Sequence, residues 1–296
     1  MNRLIPAVIA LIIVIVIAGF LFYGKLYPSS AVPSVSSSAF TSSSNFSQLY
    51  SAAGNAYNSS QSFNLTYKVT VSSKPFLVFN FTNASFDIAK YGNFFRAGLT
   101  YSEGIPINES FIPGVPLKLI IASTAIYKTT SLIVCHREQV SNISPVNSTI
   151  LSKIDSMNSY PSAGGCNTIT VPSNISSFEL ADMVAMVPIS TGSFNNRSMN
   201  GITSPAEAFN KAKVEFSGEK TIAGSECYEE SMQNSSASGN ITLDLCISPQ
   251  YGMPLSTTIN AYNNYTNSTV YMNSVLSSAN PSPSSASSIT ATPSNG

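Results

Sequence analysis

A cysteine beside a histidine is the first place to look for covalent chemistry in this chain, and Cys135-His136 is such a pair. A cysteine nucleophile needs an imidazole within hydrogen-bond reach to take its proton. Neighbouring residues of a strand point to opposite faces, so on a strand these two cannot make that contact. Cys135 is therefore read as half of a disulfide and His136 as a surface residue. Glu229 and Glu230 would likewise fall on opposite faces of a strand and read as solvated. Glu179 and Glu207 each stand three residues after a serine, Ser176 and Ser204, where a capping box accounts for them. The chain carries no Gly-x-Ser-x-Gly elbow, no His-Glu-x-x-His helix and no phosphate-binding glycine loop. The reading is of a chain without catalytic residues, without a cofactor and not an enzyme.

The four cysteines, Cys135, Cys166, Cys227 and Cys246, contain no Cys-x-x-Cys spacing, and the chain has one histidine, which argues for disulfides over a metal site. Cys227 and Cys246 flank the Ser/Gly-rich stretch Asn234 to Gly239 almost symmetrically. Residues equidistant from a hairpin turn lie opposite one another, close enough to bridge. That pairs Cys227 with Cys246 and leaves Cys135 with Cys166.

Non-covalent chemistry has more to work with. Phe63, Leu65, Tyr67 and Val69 alternate with polar residues, as do Phe79 with Phe81 and Phe95 with Leu99 and Tyr101. Such rows bury one face of a sheet. They serve equally as an ordinary core or as the lining of a cavity for a hydrophobic ligand, with Met183 and Met186 on a covering helix as a pliable lid.

The elements that must position these rows follow from turn and cap signals. A short helix is expected from Phe46 to Tyr57, then a meander of strands through Phe63–Val71, Leu77–Phe81, Phe95–Tyr101, Leu117–Ile121 and Tyr127–His136. Ser148–Tyr160 has helical spacing, and Ser176 opens a helix that stops at Pro188. Ser204-Pro-Ala-Glu207 opens another that ends near Lys213. Strands return at Lys220–Met232, Asn240–Ile247, Leu255–Tyr262 and Ser268–Val275.

The run from Gly218 through Thr221-Ile-Ala-Gly224 to Cys227, followed by Leu243 to Gly252-Met-Pro-Leu255, resembles the late strands of the lipoprotein-carrier superfamily of LolA/LppX-like domains. The resemblance implies a strongly curved half-barrel covered by helices, with a concave face able to hold acyl chains. The chain departs from those carriers in its cysteines, its glycosylation triplets and its fixed anchor.

That anchor is Leu4 to Tyr23, twenty residues without a charge, enough to cross a bilayer's hydrocarbon core. The run is longer than a signal peptide's apolar core, so it is read as retained, with the N-terminus inside and the rest outside. Fourteen Asn-x-Ser/Thr triplets support export: Asn45, Asn58, Asn64, Asn80, Asn83, Asn108, Asn142, Asn147, Asn174, Asn196, Asn234, Asn240, Asn264 and Asn267. Random placement of the same residues would give about seven. Charged residues make up only 9% of the chain and the net charge is zero, which leaves no basic surface for nucleic acid. Few carboxylates also mean little stability lost on acidification, as suits an acidic exterior.

The expected organisation is an α+β protein: an anchor at 1–27, a Ser/Pro-rich stalk at 28–44, an extracytoplasmic domain at 45–276 with a curved, mainly antiparallel sheet under a few helices, and a disordered tail at 277–296. The expected role is non-enzymatic binding of a lipid or other hydrophobic ligand at the outer surface of the cell membrane. The alternative is a structural or adhesive envelope glycoprotein without a ligand. No motif points to a protein partner.

Overall fold

The computed structural model describes residues 40, 46–74, 81–105, 112, 115, 117–142, 147–158, 164–173, 175–186, 214–236, 239–264 and 267–280. The expected anchor, the helix at Ser204–Lys213 and Phe79 lie outside these residues. Among the described residues no helix is long and apolar enough to cross a membrane.

In chain order the elements are α1 (Phe46–Ser59), β1 (Ser62–Lys74), β2 (Phe81–Tyr91), β3 (Phe94–Ile105), β4 (Leu117–Lys128), β5 (Ser131–Asn142), α2 (Ser148–Asn158), β6 (Gly164–Thr170), α3 (Ser177–Met186), β7 (Val214–Ile222), β8 (Ser225–Ser236), β9 (Gly239–Ile247), β10 (Pro254–Asn263) and β11 (Ser268–Asn280). The eleven strands of the described residues form one sheet, in the order β6-β5-β4-β3-β2-β1-β11-β10-β9-β8-β7, and every pairing is antiparallel. Two meanders therefore meet where the first strand pairs with the last.

The sheet is open, with β6 and β7 at its edges, and strongly curled. On a flat sheet strands four places apart would lie about 19 Å apart. Here Cα atoms of β7 come within 8 Å of β11, four strands away, so this wall bends over the sheet's own inner face. A half-barrel is thus built by the chain's own register.

Period-two patterning decides which residues face inward. In β1 and β3 the expected alternation holds: Phe63, Leu65, Tyr67, Val69, Phe95, Leu99 and Tyr101 are all buried in one cluster. In β2 the expected phase does not persist. Phe81 is in register with Val71 but Ala84 with Val69, and the bulge between them hands the inner face to Ala84, Phe86 and Ile88.

Two expected strands prove to be hairpins. Tyr127–His136 is interrupted at residues 129–130, where Thr129 takes a positive φ of 53°. Lys220–Met232 is interrupted at Ala223 and Gly224, both in the left-handed region, which separates β7 from β8. Each two-residue turn inverts the phase, so the inner row is odd-numbered in β4 (Ser123, Ala125, Tyr127) and even-numbered in β5 (Leu132, Val134), a change that a single alternating run does not describe.

The domain also extends beyond its expected ends. β11 continues to Asn280, past the expected boundary at 276, where Ser277 Oγ donates to the Thr66 carbonyl at 2.9 Å. Phe40, within the expected stalk, is fully buried and stacks on Tyr228 with ring centroids 5.6 Å apart. The chain at Phe40 therefore meets the fold at the inner side of β8.

Both disulfides have the expected pairing. Cys135 and Cys166 are direct register partners across β5 and β6, with Cα atoms 4.0 Å apart. Cys227 and Cys246 bridge at 5.3 Å, but not as direct partners, because Glu229 pairs with Cys246. Only residues 237–238 separate β8 from β9, which moves the hairpin's centre by one position and makes the bridge diagonal. Each loop closure contributes about 3 to 4 kcal/mol.

Candidate site on the concave face

Two helices roof the inner face. α1 buries Phe46, Leu49, Ala53, Ala56 and Tyr57, and α3 buries Phe178, Leu180, Ala181, Val184 and Ala185. They meet through aromatic rings: Phe178 lies 4.8 Å from Tyr50 and 5.4 Å from Tyr57, centroid to centroid. The start of α3 is fixed by the expected capping box, in which the Ser176 amide donates to Glu179 Oε2 at 2.6 Å and the Glu179 amide donates to Ser176 Oγ at 3.1 Å. α2 packs apart from them, with Ile154 in a small cluster that holds Ile112, Val115 and Leu117.

The apolar residues expected to line a cavity are thus brought together, Phe63 through Tyr101 sharing one cluster beneath α1 and α3. The side chains of Phe81, Met183 and Met186, like Phe79, lie outside the described residues. The helix carrying the two methionines does cover the inner face, through Leu180, Ala181, Val184 and Ala185.

Polar groups inside this apolar space are the unexpected feature. Asp182 on α3 is 2% exposed, and its Oδ2 has no hydrogen-bond partner. Loss of water raises its carboxyl to about 8, with a further push from the neighbouring Glu179. Burial raises the Tyr50 and Tyr67 phenols, and the nearby Asp182 charge raises both further. The Tyr67 hydroxyl donates to the Pro254 carbonyl at 3.0 Å, whereas the Tyr50 hydroxyl is unpartnered.

Glu230 overturns its expected reading as a solvated side chain. It points to the face opposite Glu229, as strand geometry requires, but that face is the inner one. Glu230 is wholly shielded from water with neither carboxylate oxygen bonded, and burial raises it to about 7. Its cover is thin, since Phe216, its register partner on β7, is itself 40% exposed. Glu229, on the outer face, pairs with Lys220.

His136 is also not a surface residue. It lies half-buried on the inner face, where Nδ1 is 2.8 Å from the Ser123 hydroxyl, while Cys135 turns outward into its disulfide. Lys90 is the cation of the inner face among the described residues. Its ammonium donates to the Ser60 carbonyl and lies 4.6 Å above the Tyr57 ring, and burial lowers it to about 8.

A signal for the missed residues does exist in the sequence. Glu230 stands between Tyr228 and Met232, Thr257 between Leu255 and Ile259, and Ser274 between Met272 and Leu276, each a polar residue in the apolar phase of its strand. Asp182 falls on the stripe of Phe178, Ala181 and Ala185 at helical spacing.

The glycosylation acceptors sit away from this interior. Of those whose side chains are described, Asn58, Asn147, Asn234, Asn240, Asn264 and Asn267 are exposed, and Asn64 and Asn142 are half-exposed. Asn45, Asn80, Asn83, Asn108, Asn174 and Asn196 have side chains outside the described residues.

No family model and no curated protein matches this chain. Among solved structures it is similar to a LolA superfamily protein from Nitrosomonas europaea, at 8% identity and a TM-score of 0.23, over 78% of this chain and 92% of that one.

Proposed function

We propose that this protein is a membrane-tethered, extracytoplasmic binding protein that holds a lipid or another hydrophobic ligand against the concave face of its half-barrel and catalyses no reaction. Residues 4–23 are the tether, and the N-linked triplets make it a glycoprotein. The observation that carries the reading is the set of unpaired polar groups, Asp182, Glu230, Ser274 and Tyr50, inside an otherwise apolar interior. An interior packed only against itself pairs such groups, because each one left unpaired costs about 1 to 3 kcal/mol. A face that meets a ligand has a reason to keep them.

The position of Phe40 supports the same reading. The chain that follows the tether meets the fold beside the inner face, where Phe40 stacks on Tyr228. The exposed acceptors keep sugars clear of it.

Native mass spectrometry of the full-length protein, released from membranes in mild detergent, tests this. The expected spectrum contains the protein plus lipid-sized adducts that dissociate on collisional activation. Protein that carries no adduct, and takes up none from added phospholipid, would support the structural or adhesive glycoprotein instead.

A further inference from the structure

The register of the sheet draws one row of side chains straight across the inner face. Phe216 on β7 pairs with Glu230 on β8, Glu230 with Leu245 on β9, Leu245 with Thr257 on β10, Thr257 with Ser274 on β11, and Ser274 with Val69 on β1. From Glu230 to Val69 every member is at most 1% exposed. Three of these five residues are polar, while the next row, Met232, Leu243, Ile259, Met272 and Val71, is entirely apolar. On these five strands the row of Glu230, Thr257 and Ser274 is thus polar where the next one is not.

Both Glu230 oxygens and Ser274 Oγ are unpartnered, and the second inner carboxylate, Asp182, also keeps an unpartnered oxygen. The cation of this face, Lys90, is already engaged by Ser60 and the Tyr57 ring. At Glu230 the line thus offers acceptors and negative charge to whatever enters it.

We propose that the ligand of the concave face is an amphiphile with a primary ammonium head group, which donates to the Glu230 carboxylate, while its chain lies along the apolar row beside it. This rests on the hydrophobic-ligand function proposed above. An ammonium supplies several donors and the opposite charge, whereas a fatty-acid carboxylate would meet Glu230 with like charge and no donor. An alcohol would fall between the two.

The test is a competition in which full-length protein is offered equal concentrations of tetradecylamine, tetradecanol and myristic acid at pH 7.5, with occupancies read by native mass spectrometry. Wild-type protein should favour the amine over the acid by about tenfold, the worth of one charge-assisted hydrogen bond. Glu230→Gln, which keeps the shape, should reduce that preference to about twofold or less without loss of total chain binding. Glu229→Gln on the outer face should change nothing. Equal occupancy of amine and acid in the wild-type protein, a measurement that needs no variant, overturns the head-group proposal while leaving hydrophobic binding intact. So does a preference that survives Glu230→Gln. Failure of all three molecules to bind overturns the hydrophobic-ligand function itself.

Discussion

Gly252→Ala should prevent the domain from reaching its native state. Gly252 closes the turn between β9 and β10, where its amide donates to the Ser248 carbonyl at 2.8 Å and the Ser248 amide donates to the Met253 carbonyl at 3.0 Å. Its φ is +64°, a region that costs an ordinary L-residue about 1 kcal/mol or more. Space adds the larger cost. A Cβ at this position would stand 2.0 Å from the Ala53 carbonyl oxygen and 2.4 Å from the Tyr57 amide nitrogen, both in the backbone of α1. Neither can move without lifting the helix from the sheet, and the inner face loses its roof if it lifts. The combined penalty exceeds about 4 kcal/mol, a large share of a domain's total stability. Gly92→Ala is the matched comparison, since Gly92 has φ +56° but open space around the position of a Cβ. Urea unfolding followed by circular dichroism should show Gly92→Ala modestly destabilised and Gly252→Ala unfolded or recovered only in aggregates. Equal behaviour of the two would contradict the packing of α1 on this turn.

Stability should fall as pH rises from about 4 to about 8, the reverse of ordinary acid denaturation. Asp182 holds its proton in the folded state up to about 8, whereas an unfolded aspartate releases it near 4. Between those values the native state binds more protons than the unfolded state, so the folded form loses ground with every rise in pH. Below the window both states are protonated and the effect vanishes; above it the full cost of a buried charge is present. Glu230, raised to about 7, acts in the same direction. Lys90, lowered to about 8, acts only above the window, where an unfolded lysine is still charged.

Among the described residues the groups facing Asp182 add no compensating cation: Glu179 is on its own helix, Tyr50 on α1 and Tyr67 on β1. The loss assigned to Asp182 is on the order of 5 kcal/mol across the window. Asp182→Asn keeps the shape of the neutral acid, so its stability should match the wild type at pH 4 and exceed it at pH 8. Urea titrations of both proteins at pH 4, 6 and 8 measure this, and a wild-type curve that is flat or rises with pH would contradict it.

How far the fold was legible depends on the kind of signal. Strand alternation placed Phe63 to Val69 and Phe95 to Tyr101 on the correct face because period two survives whatever the strand pairs with. Cap chemistry placed α3 because Ser176 and Glu179 satisfy each other's amides locally. Register was not legible. The bulge in β2, the turns at 129–130 and 223–224, and the diagonal Cys227–Cys246 bridge all depend on how partner strands settle against one another. The site was half legible for the same reason. Apolar rows announce an inner face, but the solvated reading of Glu230 treated a charged residue as proof of an outer phase, when its neighbours Tyr228 and Met232 already fixed the phase as inner. That one misplaced carboxylate is what turns a filled core into a candidate ligand site.

The most direct measurement is photocrosslinking with a phospholipid carrying a diazirine midway along one acyl chain, added to the full-length protein and followed by peptide mapping. The account predicts labels on inner-face residues of β1, β3, β9 and β11, such as Val69, Leu99, Leu243 and Met272, and their suppression by excess unlabelled lipid. Labels confined to the outer face or to the apolar segment at 4–23, unaffected by competitor, would contradict it.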